Sequence, residues 1–251
     1  MTGQLPFDLP HRPARGRTDF LVTPANAQAL AAVDGWRAWP EGKLALIGPP
    51  GSGKTHLAHV WAAESGAGIL PAAALADADI DALARHGAVV VEDVGAAPAP
   101  PAAEAALQHL HNHLLAGGGR LLLTAARPPA RWPVALPDLA SRMQATATAT
   151  LAPPDDALLA AVLVKLFSDR QVVVPPAVIS YLVTRMERSL AQAGRIVARL
   201  DRAALARRAP IRLPLARAVL DDMAQHADSP EAGAAPGAPD PIAGTTDGQD
   251  R

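Results

Sequence analysis

A glycine-rich loop at residues 48–55 constrains this chain more than any other segment. The run Gly48-Pro49-Pro50-Gly51-Ser52-Gly53-Lys54-Thr55 fits the pattern G-x-x-x-x-G-K-[ST]. An apolar stretch at 43–47 precedes it, and a helical stretch at 56–64 follows it. Strand, glycine loop and helix in this order form a cradle for phosphate groups. The sequence therefore predicts that the chain binds a nucleoside di- or triphosphate.

Each position of the loop has a chemical role in this interpretation. Gly51 and Gly53 let the backbone bend so that its N–H groups converge on the phosphates. Lys54 would reach the β- and γ-phosphates, and Thr55 would offer its hydroxyl to Mg²⁺. We expect the cofactor to be ADP or ATP with Mg²⁺, without a decision between the two nucleotides. The nucleotide-binding residues predicted in the loop are Pro50, Gly51, Ser52, Gly53, Lys54, Thr55 and His56.

A second nucleotide motif is the apolar run that ends in Glu92-Asp93. Carboxylates at the end of such a strand hold Mg²⁺ and orient an attacking water. We assign Glu92 to the metal and Asp93 to the water, although the usual order is Asp then Glu. Because positioning errors of about 1 Å can cost ~10²-fold in rate, we predict secure nucleotide binding and slow turnover. The alternative is an acidic pair that caps a strand at the surface.

Composition limits the classes of protein to which the chain can belong. Its 251 residues suit one large or two small domains, and nearly half of them are apolar. The net charge of −1 does not require a nucleic-acid or acidic-lipid partner. The absence of cysteine excludes disulfides and cysteine-ligated zinc. No apolar run approaches the ~20 residues of a membrane span, so we expect a cytoplasmic protein without membrane contact.

The order of elements predicts two folded domains of different class. Apolar strands alternate with helices over residues 19–152, which indicates an α/β domain with a parallel sheet. Residues 153–224 show only helical patterns and form a small all-helical domain. Residues 1–18 are predicted to be an extended arm. The polar, small-residue segment 225–251 is predicted to be a disordered tail.

This plan and several motifs resemble the DnaA-like branch of the AAA+ ATPases. Residues 51–57, with His-Leu after the glycine loop, are similar to the P-loop of the initiator DnaA. Residues 122–129 are similar to the sensor 1 strand and its Arg-Pro-Pro turn, and residues 139–143 resemble the Leu-x-Ser-Arg segment. Within this branch the chain resembles the Hda family, the regulatory inactivators of DnaA. The likeness covers about residues 19–223, and the helical domain corresponds to the lid.

The resemblance implies roles for two arginines. Arg142, in the Ser-Arg segment, would be an arginine finger that points toward the nucleotide of a neighbouring molecule. Such a guanidinium can raise the rate of phosphoryl transfer ~10³–10⁵-fold in the site that it enters. The alternative is an ordinary surface arginine on a short helix. Arg188 would be the sensor 2 arginine that contacts phosphates within the same chain, with Arg195 as the alternative.

Sensor 1 departs from the family pattern. Ala126 stands where the initiator usually has a polar or acidic residue, so Thr124 alone is left to help place a water. Together with the order of Glu92 and Asp93, this departure argues for weak or no intrinsic ATPase activity. The chain would act mainly as an activator of hydrolysis in a partner.

The N-terminal residues 4–9 look like the short peptide by which replication proteins dock on the DNA polymerase sliding clamp. Leu5, Phe7 and Leu9 would enter an apolar groove, and Gln4 would make a polar anchor. The alternative is a cluster of apolar residues that packs on the protein's own surface. The short polar segment after the lid is also too small and too poor in basic residues for the initiator's DNA-binding domain.

The combined interpretation is a negative regulator of DNA replication initiation. It would dock on the sliding clamp, contact DNA indirectly through it, and stimulate hydrolysis of DnaA-bound ATP by inserting Arg142. A homo-oligomer is compatible with this interpretation. Two alternatives are a self-standing AAA+ ATPase such as a helicase loader, and a non-catalytic adaptor between clamp and initiator.

Three closely spaced histidines, at positions 109, 111 and 113, suggest a metal-binding site. His109 and His113 share a helix face at i, i+4, whereas His111 points elsewhere. The sequence shows no carboxylate or third histidine placed to complete a site. We therefore expect ordinary histidines of a helix surface or core.

Overall fold

The computed structural model describes residues 20–227, and their centre is a five-stranded parallel sheet in the order β2-β3-β4-β1-β5. Every neighbouring pair of strands is parallel. The strands are β1 (Lys43–Ile47), β2 (Gly68–Pro71), β3 (Ala88–Glu92), β4 (Arg120–Ala125) and β5 (Ala147–Thr150). The predicted α/β fold with a parallel sheet is confirmed.

Helices connect the strands and then continue alone. The first domain contains α1 (Ala27–Asp34), α2 (Lys54–Ser65), α3 (Ile80–Ala84), α4 (Pro101–Ala116) and α5 (Pro137–Gln144). The second contains α6 (Asp156–Ser168), α7 (Pro176–Arg185), α8 (Leu190–Arg207) and α9 (Leu213–Ala227). Over residues 20–227, none of these helices combines the length and apolar character required to cross a bilayer.

The central strands are apolar throughout because both faces of the sheet are covered. In β4, Leu121 and Leu123 lie in a core that contains the buried side of α4. Leu122 lies in the opposite core, with Leu57 and Trp61 of α2. This alternation follows from the two-residue period of a strand.

The edge strand β5 has a weaker sequence signal, and sequence analysis assigns no strand to residues 147–150. Its alternation of alanine and threonine buries Ala149, while Thr148 and Thr150 are exposed. It is a strand because it pairs with β1, Leu44 facing Ala147 and Ile47 facing Thr150. An edge strand covered on one side does not require a continuous apolar run, which explains the weak signal.

The lid has its own core, filled by Leu159, Leu163, Leu182, Ile196 and other apolar residues of its helices. Side chains cap two of these helices. The Asp155 carboxylate accepts a hydrogen bond from the Leu158 amide at 2.7 Å, and the Ser189 hydroxyl accepts one from the Gln192 amide at 3.2 Å. The predicted all-helical lid after the α/β domain is therefore confirmed as part of the fold class.

Two predicted segments fall outside the described residues. The arm at 1–18, with the proposed clamp contacts Gln4, Leu5, Phe7 and Leu9, lies before residue 20. Most of the predicted tail lies after residue 227. Within the described part, α9 runs to Ala227, so residues 225–227 are helical rather than part of a disordered tail.

Candidate nucleotide-binding site and arginine finger

The glycine loop joins β1 to α2 in a conformation that glycine favours. Gly51 has a φ of 73° and Gly53 a φ of 103°, both in the left-handed region. A Cβ atom at Gly51 would collide with the side chain of Ser189 in the lid. The backbone of the loop therefore approaches the lid more closely than a side chain at position 51 would allow. Lys54 begins α2 directly after this turn, as the motif predicts.

Lys54 is buried against the loop that it follows. Its Nζ donates hydrogen bonds to the carbonyl oxygens of Gly48 at 2.8 Å and Pro49 at 3.0 Å. Burial lowers the pKa of Lys54, and the nearby carboxylates of Asp93 and Glu92 oppose that shift. The ammonium group is thus held at the loop with both acidic residues within electrostatic range. An ammonium group at the loop can hold a phosphate, and the carboxylates can hold the Mg²⁺ that accompanies it.

A cleft of about 350 Å³ lies between the glycine loop and the lid. Phe20 and Asn26 line it on the N-terminal side, His56 on the side of α2, and Leu158 and Val162 on the lid side. The Phe20 ring packs edge-on against His56, with centroids 5.5 Å apart. A largely apolar cleft of this volume beside a phosphate-binding loop suits a nucleoside.

The acidic pair lies at the carboxyl end of β3. Glu92 Oε1 is buried and has no hydrogen-bond partner in the described part of the chain. Asp93 is exposed and has a φ of 57°, and its amide donates to the hydroxyl of Thr124 at 3.0 Å. Since buried carboxylate oxygens without partners are costly, Glu92 is well suited to a metal or its waters.

Two further observations fit a nucleotide with Mg²⁺. The Ser52 hydroxyl is buried without a hydrogen-bond partner among residues 20–227. Thr55 lies exposed in the first turn of α2, next to Lys54. Helix N-termini attract anions, and α2 points its N-terminus at this loop. The chemistry of these residues would suit a nucleotide with Mg²⁺, and their assignment to it stays a prediction.

Arg142 lies on α5 with 42% of its side chain exposed. Its Nε donates to Asp138 Oδ2 at 2.8 Å, within the same helix. Asp138 Oδ2 also accepts a hydrogen bond from Gln108 of α4 at 2.6 Å. The guanidinium is therefore not enclosed in its own fold. Its described ion pair is a surface pair, of a kind worth about 0–1 kcal/mol.

The main chain of Arg142 is tied to the core by a residue that sequence reasoning missed. Lys43, the first residue of β1, is buried and its Nζ donates to the Arg142 carbonyl oxygen at 3.0 Å. The same ammonium lies 2.9 Å from Glu41 Oε2 and 3.4 Å from His111 Nε2. The available sequence signal is a lysine at the start of an otherwise apolar strand.

Among the described residues, the candidate sensor 2 arginines form their hydrogen bonds within the lid and with Pro154 rather than with the glycine loop. Arg188 pairs with Asp156 at 2.8 Å, and Arg195 donates to the Gln192 side chain at 2.6 Å. The lid reaches the loop through their neighbours instead, since the Leu190 amide donates to the Gly51 carbonyl oxygen at 2.8 Å. Arg188 lies two residues before Leu190 in the chain. Its role at the phosphates stays a prediction.

Comparison with known proteins matches both parts of this architecture. Residues 156–220 match the family model described as "Hda, lid domain". Domain III of the Thermotoga maritima replication initiation protein DnaA superposes with a TM-score of 0.71 at 19% identity, covering 85% of this chain and 98% of that one. AMPPCP-bound DnaA from Aquifex aeolicus gives 0.63 at 16% identity, covering 76% and 66%. Comparison of the sequence with curated proteins found no match.

The fold is also similar to that of a protein with another name. A single-substitution variant of Thermotoga maritima RuvB superposes with a TM-score of 0.61 at 18% identity, covering 80% of this chain and 70% of that one. At such identities a structural likeness establishes the fold alone. The lid match adds a sequence relationship to it, over residues 156–220.

Proposed function

We propose that this chain, a DnaA-like AAA+ protein with an Hda-type lid domain, is a negative regulator of replication initiation. It brings Arg142 to the ATP bound by DnaA and accelerates hydrolysis of that ATP. The lid match at residues 156–220 and the DnaA-like fold support DnaA as the partner. Converting DnaA-bound ATP to ADP then lowers the capacity to initiate.

The exposure of Arg142 on a rigid support is the observation that carries this proposal. A finger must leave its own surface and enter a site on another molecule, so it requires an accessible guanidinium and a fixed backbone. Arg142 has both, because within residues 20–227 its side chain is held by a surface pair with Asp138, while its carbonyl is bound by buried Lys43. Moving the guanidinium from Asp138 to a phosphate exchanges one anionic partner for another, so little free energy is lost in the exchange.

The chain's own nucleotide serves mainly as a structural ligand in this proposal. Lys54, Ser52 and the glycine loop hold the phosphates, and the cleft lined by Phe20 and Leu158 holds the nucleoside. A relative of the same fold is described as bound to AMPPCP, which supports an adenine nucleotide here. Thr55 and Glu92 would hold its Mg²⁺. Because Gly51 contacts Leu190 of the lid, the bound nucleotide would set the position of the lid.

Intrinsic hydrolysis is proposed to be slow. Asp93 follows Glu92 in the reverse of the usual order, and its backbone lies in the left-handed region in a tight turn. The Thr124 hydroxyl is already engaged with the Asp93 amide. The reversed order and the left-handed backbone of Asp93 would place its carboxylate poorly for orienting a water, so we expect less than about 1 turnover per second from the isolated protein.

Docking on the sliding clamp is proposed for the N-terminal arm. Gln4, Leu5, Phe7 and Leu9 would occupy a groove on the clamp, and the clamp on DNA would concentrate the regulator near the replication fork. A glutamine anchor followed by alternating large apolar residues supports this assignment.

The decisive experiment measures hydrolysis of DnaA-bound ATP with and without this protein and DNA-loaded clamp. Arg142→Ala is compared with wild type and with Arg85→Ala. Arg85, at the end of α3, is a suitable control because it is an exposed arginine on a helix close to the finger helix α5. Both helices contact α4, α3 through His109 and α5 through Gln108. We expect Arg142→Ala to abolish stimulation and Arg85→Ala to retain it.

The same assay separates the two alternatives. With a DnaA variant whose P-loop is inactive, we expect the mixture to show no ATP hydrolysis. Unchanged hydrolysis would identify this chain as the ATPase. Loss of stimulation with an intact Arg142→Ala complex would exclude a non-catalytic adaptor. Full stimulation by Arg142→Ala would refute the finger. Gln4→Ala combined with Phe7→Ala should remove clamp binding and clamp dependence.

A further inference from the structure

One cluster of metal-ligating side chains lies outside the nucleotide site and the finger. His109 and His113, one turn apart on α4, both face Asp81 on α3. Sequence analysis finds no carboxylate to complete a metal site at these histidines, and the structure corrects that expectation. Asp81 is 28 and 32 residues away in the chain, so only the packing of α3 on α4 brings it there.

We propose that Asp81, His109 and His113 form a binding site for a divalent transition-metal cation, with Zn²⁺ as the fitting ion. Two imidazoles and one carboxylate are a ligand set typical of zinc, which accepts three protein ligands and a water. The site is separate from the predicted Mg²⁺ site at Thr55 and Glu92.

The distances between the ligand atoms support this assignment. His109 Nε2 lies 3.1 Å and His113 Nδ1 lies 3.0 Å from Asp81 Oδ1, and all three ligand atoms lie within 4.8 Å of one another. Ligands at about 2.0–2.1 Å from tetrahedral zinc are about 3.3 Å apart. Small rotations of two exposed rings therefore suffice to form the site. Both imidazole nitrogens now face the carboxylate oxygen that the ion would bind.

The charge of the site also suits a cation. Asp81 is exposed, and an exposed aspartate carboxylate is negatively charged at neutral pH. The ion would replace the hydrogen atoms that now link the rings to Asp81. Because its ligands come from α3 and α4, the ion would link the two helices on one face of the sheet.

Zn²⁺ titration of the untagged full-length chain, in competition with a chromogenic chelator, tests the proposal. We expect one site per chain, and Asp81→Asn, His109→Gln and His113→Gln should each weaken it on the order of tenfold or more. This magnitude is reasonable because even outer-shell partners of a metal are worth about 10–100-fold. His226→Gln is the matched control, since His226 is exposed and belongs to α9.

Histidine-selective NMR of the wild-type chain provides a readout that needs no variant. The ring signals of His109 and His113 should move on addition of one equivalent of Zn²⁺, while those of His226 stay in place. Equal zinc affinity in wild type and all three site variants would overturn the proposal. Zinc-induced shifts confined to other histidines would overturn it as well, leaving Asp81 as a hydrogen-bond acceptor only.

Discussion

Lys43 Nζ donates a hydrogen bond to the main-chain carbonyl oxygen of Arg142 at a distance of 3.0 Å. Lys43 is the first residue of β1, the strand that leads directly into the glycine loop at Gly48. One buried strand therefore carries the glycine loop at its carboxyl end and, at its start, an anchor for α5, the helix of the proposed finger. The buried ammonium also pairs with Glu41 Oε2 at 2.9 Å, which helps to hold it beside the Arg142 carbonyl.

Replacing Lys43 with methionine tests this anchor. The change removes one of two donors to the Arg142 carbonyl, which keeps the Thr146 hydroxyl at 3.1 Å, and we expect it to cost about 0.5–1.5 kcal/mol of unfolding free energy. It should also lower maximal stimulation of DnaA, because α5 would hold Arg142 less firmly. Chemical denaturation and the hydrolysis assay measure the two effects. Lys43→Arg, which keeps a donor, should restore part of the stimulation.

A stability-matched control separates anchoring from general destabilisation. Val33→Ala removes buried methyl groups from α1, on the opposite side of the sheet from α5. It should lower stability by a similar amount and leave stimulation unchanged. Equal loss of stimulation in Lys43→Met and Val33→Ala would show that Lys43 affects stimulation only through the stability of the fold.

Neutralising the partner of the finger should strengthen the encounter with DnaA. Asp138→Asn removes the carboxylate that holds Arg142 Nε, so the guanidinium becomes more available to a phosphate. We expect the half-saturating concentration for stimulation to fall several-fold at low salt and the gain to shrink at high salt. Asp222→Asn makes the same charge change beside Arg199 in the lid and should have no such effect. A higher half-saturating concentration would show instead that Asp138 prepositions the finger.

Acidification should destabilise the chain through His111. Burial lowers the pKa of His111 below its ordinary value of 6.5, so the native state favours the neutral ring. The unfolded chain binds the proton near pH 6.5, and stability is therefore lost as pH falls from about 6.5 through the folded pKa. His111→Gln should reduce this loss by at most about 1.4 kcal/mol per pH unit. Urea unfolding of wild type and His111→Gln at pH 7.5 and 5.5 measures the difference.

Lys54→Ala should abolish nucleotide binding without lowering stability in its absence. The ammonium group is the only charge that the glycine loop contributes, and burial already lowers its pKa. Removing a buried cation relieves its desolvation cost, which offsets the two hydrogen bonds lost at Gly48 and Pro49. ATP should raise the melting temperature of wild type and not that of Lys54→Ala. Thr55→Ala removes a proposed Mg²⁺ ligand. In this variant ATP should still raise the melting temperature, but the increase should no longer depend on Mg²⁺.

Sequence patterns alone located the parts of the molecule whose signals are local. The glycine loop is recognisable because its motif needs consecutive residues, and β1, β3 and β4 because strands covered on both faces are continuously apolar. Helix caps such as Asp155 mark the lid within a few residues of their position. Sequence analysis did not predict the edge strand β5, because its pairing with β1 rather than its own composition makes it a strand.

The remaining features depend on contacts between residues far apart in the chain, and only the tertiary structure decided them. Lys43 meets the Arg142 carbonyl across 99 positions, and Asp81 meets His113 across 32. Arg188, one of two arginines that the resemblance suggests as a phosphate sensor, pairs with Asp156 in the structure. Periodicity and motifs report which residues are buried or bend the chain. Which side chains then face one another depends on how helices and strands pack, and that information is not local.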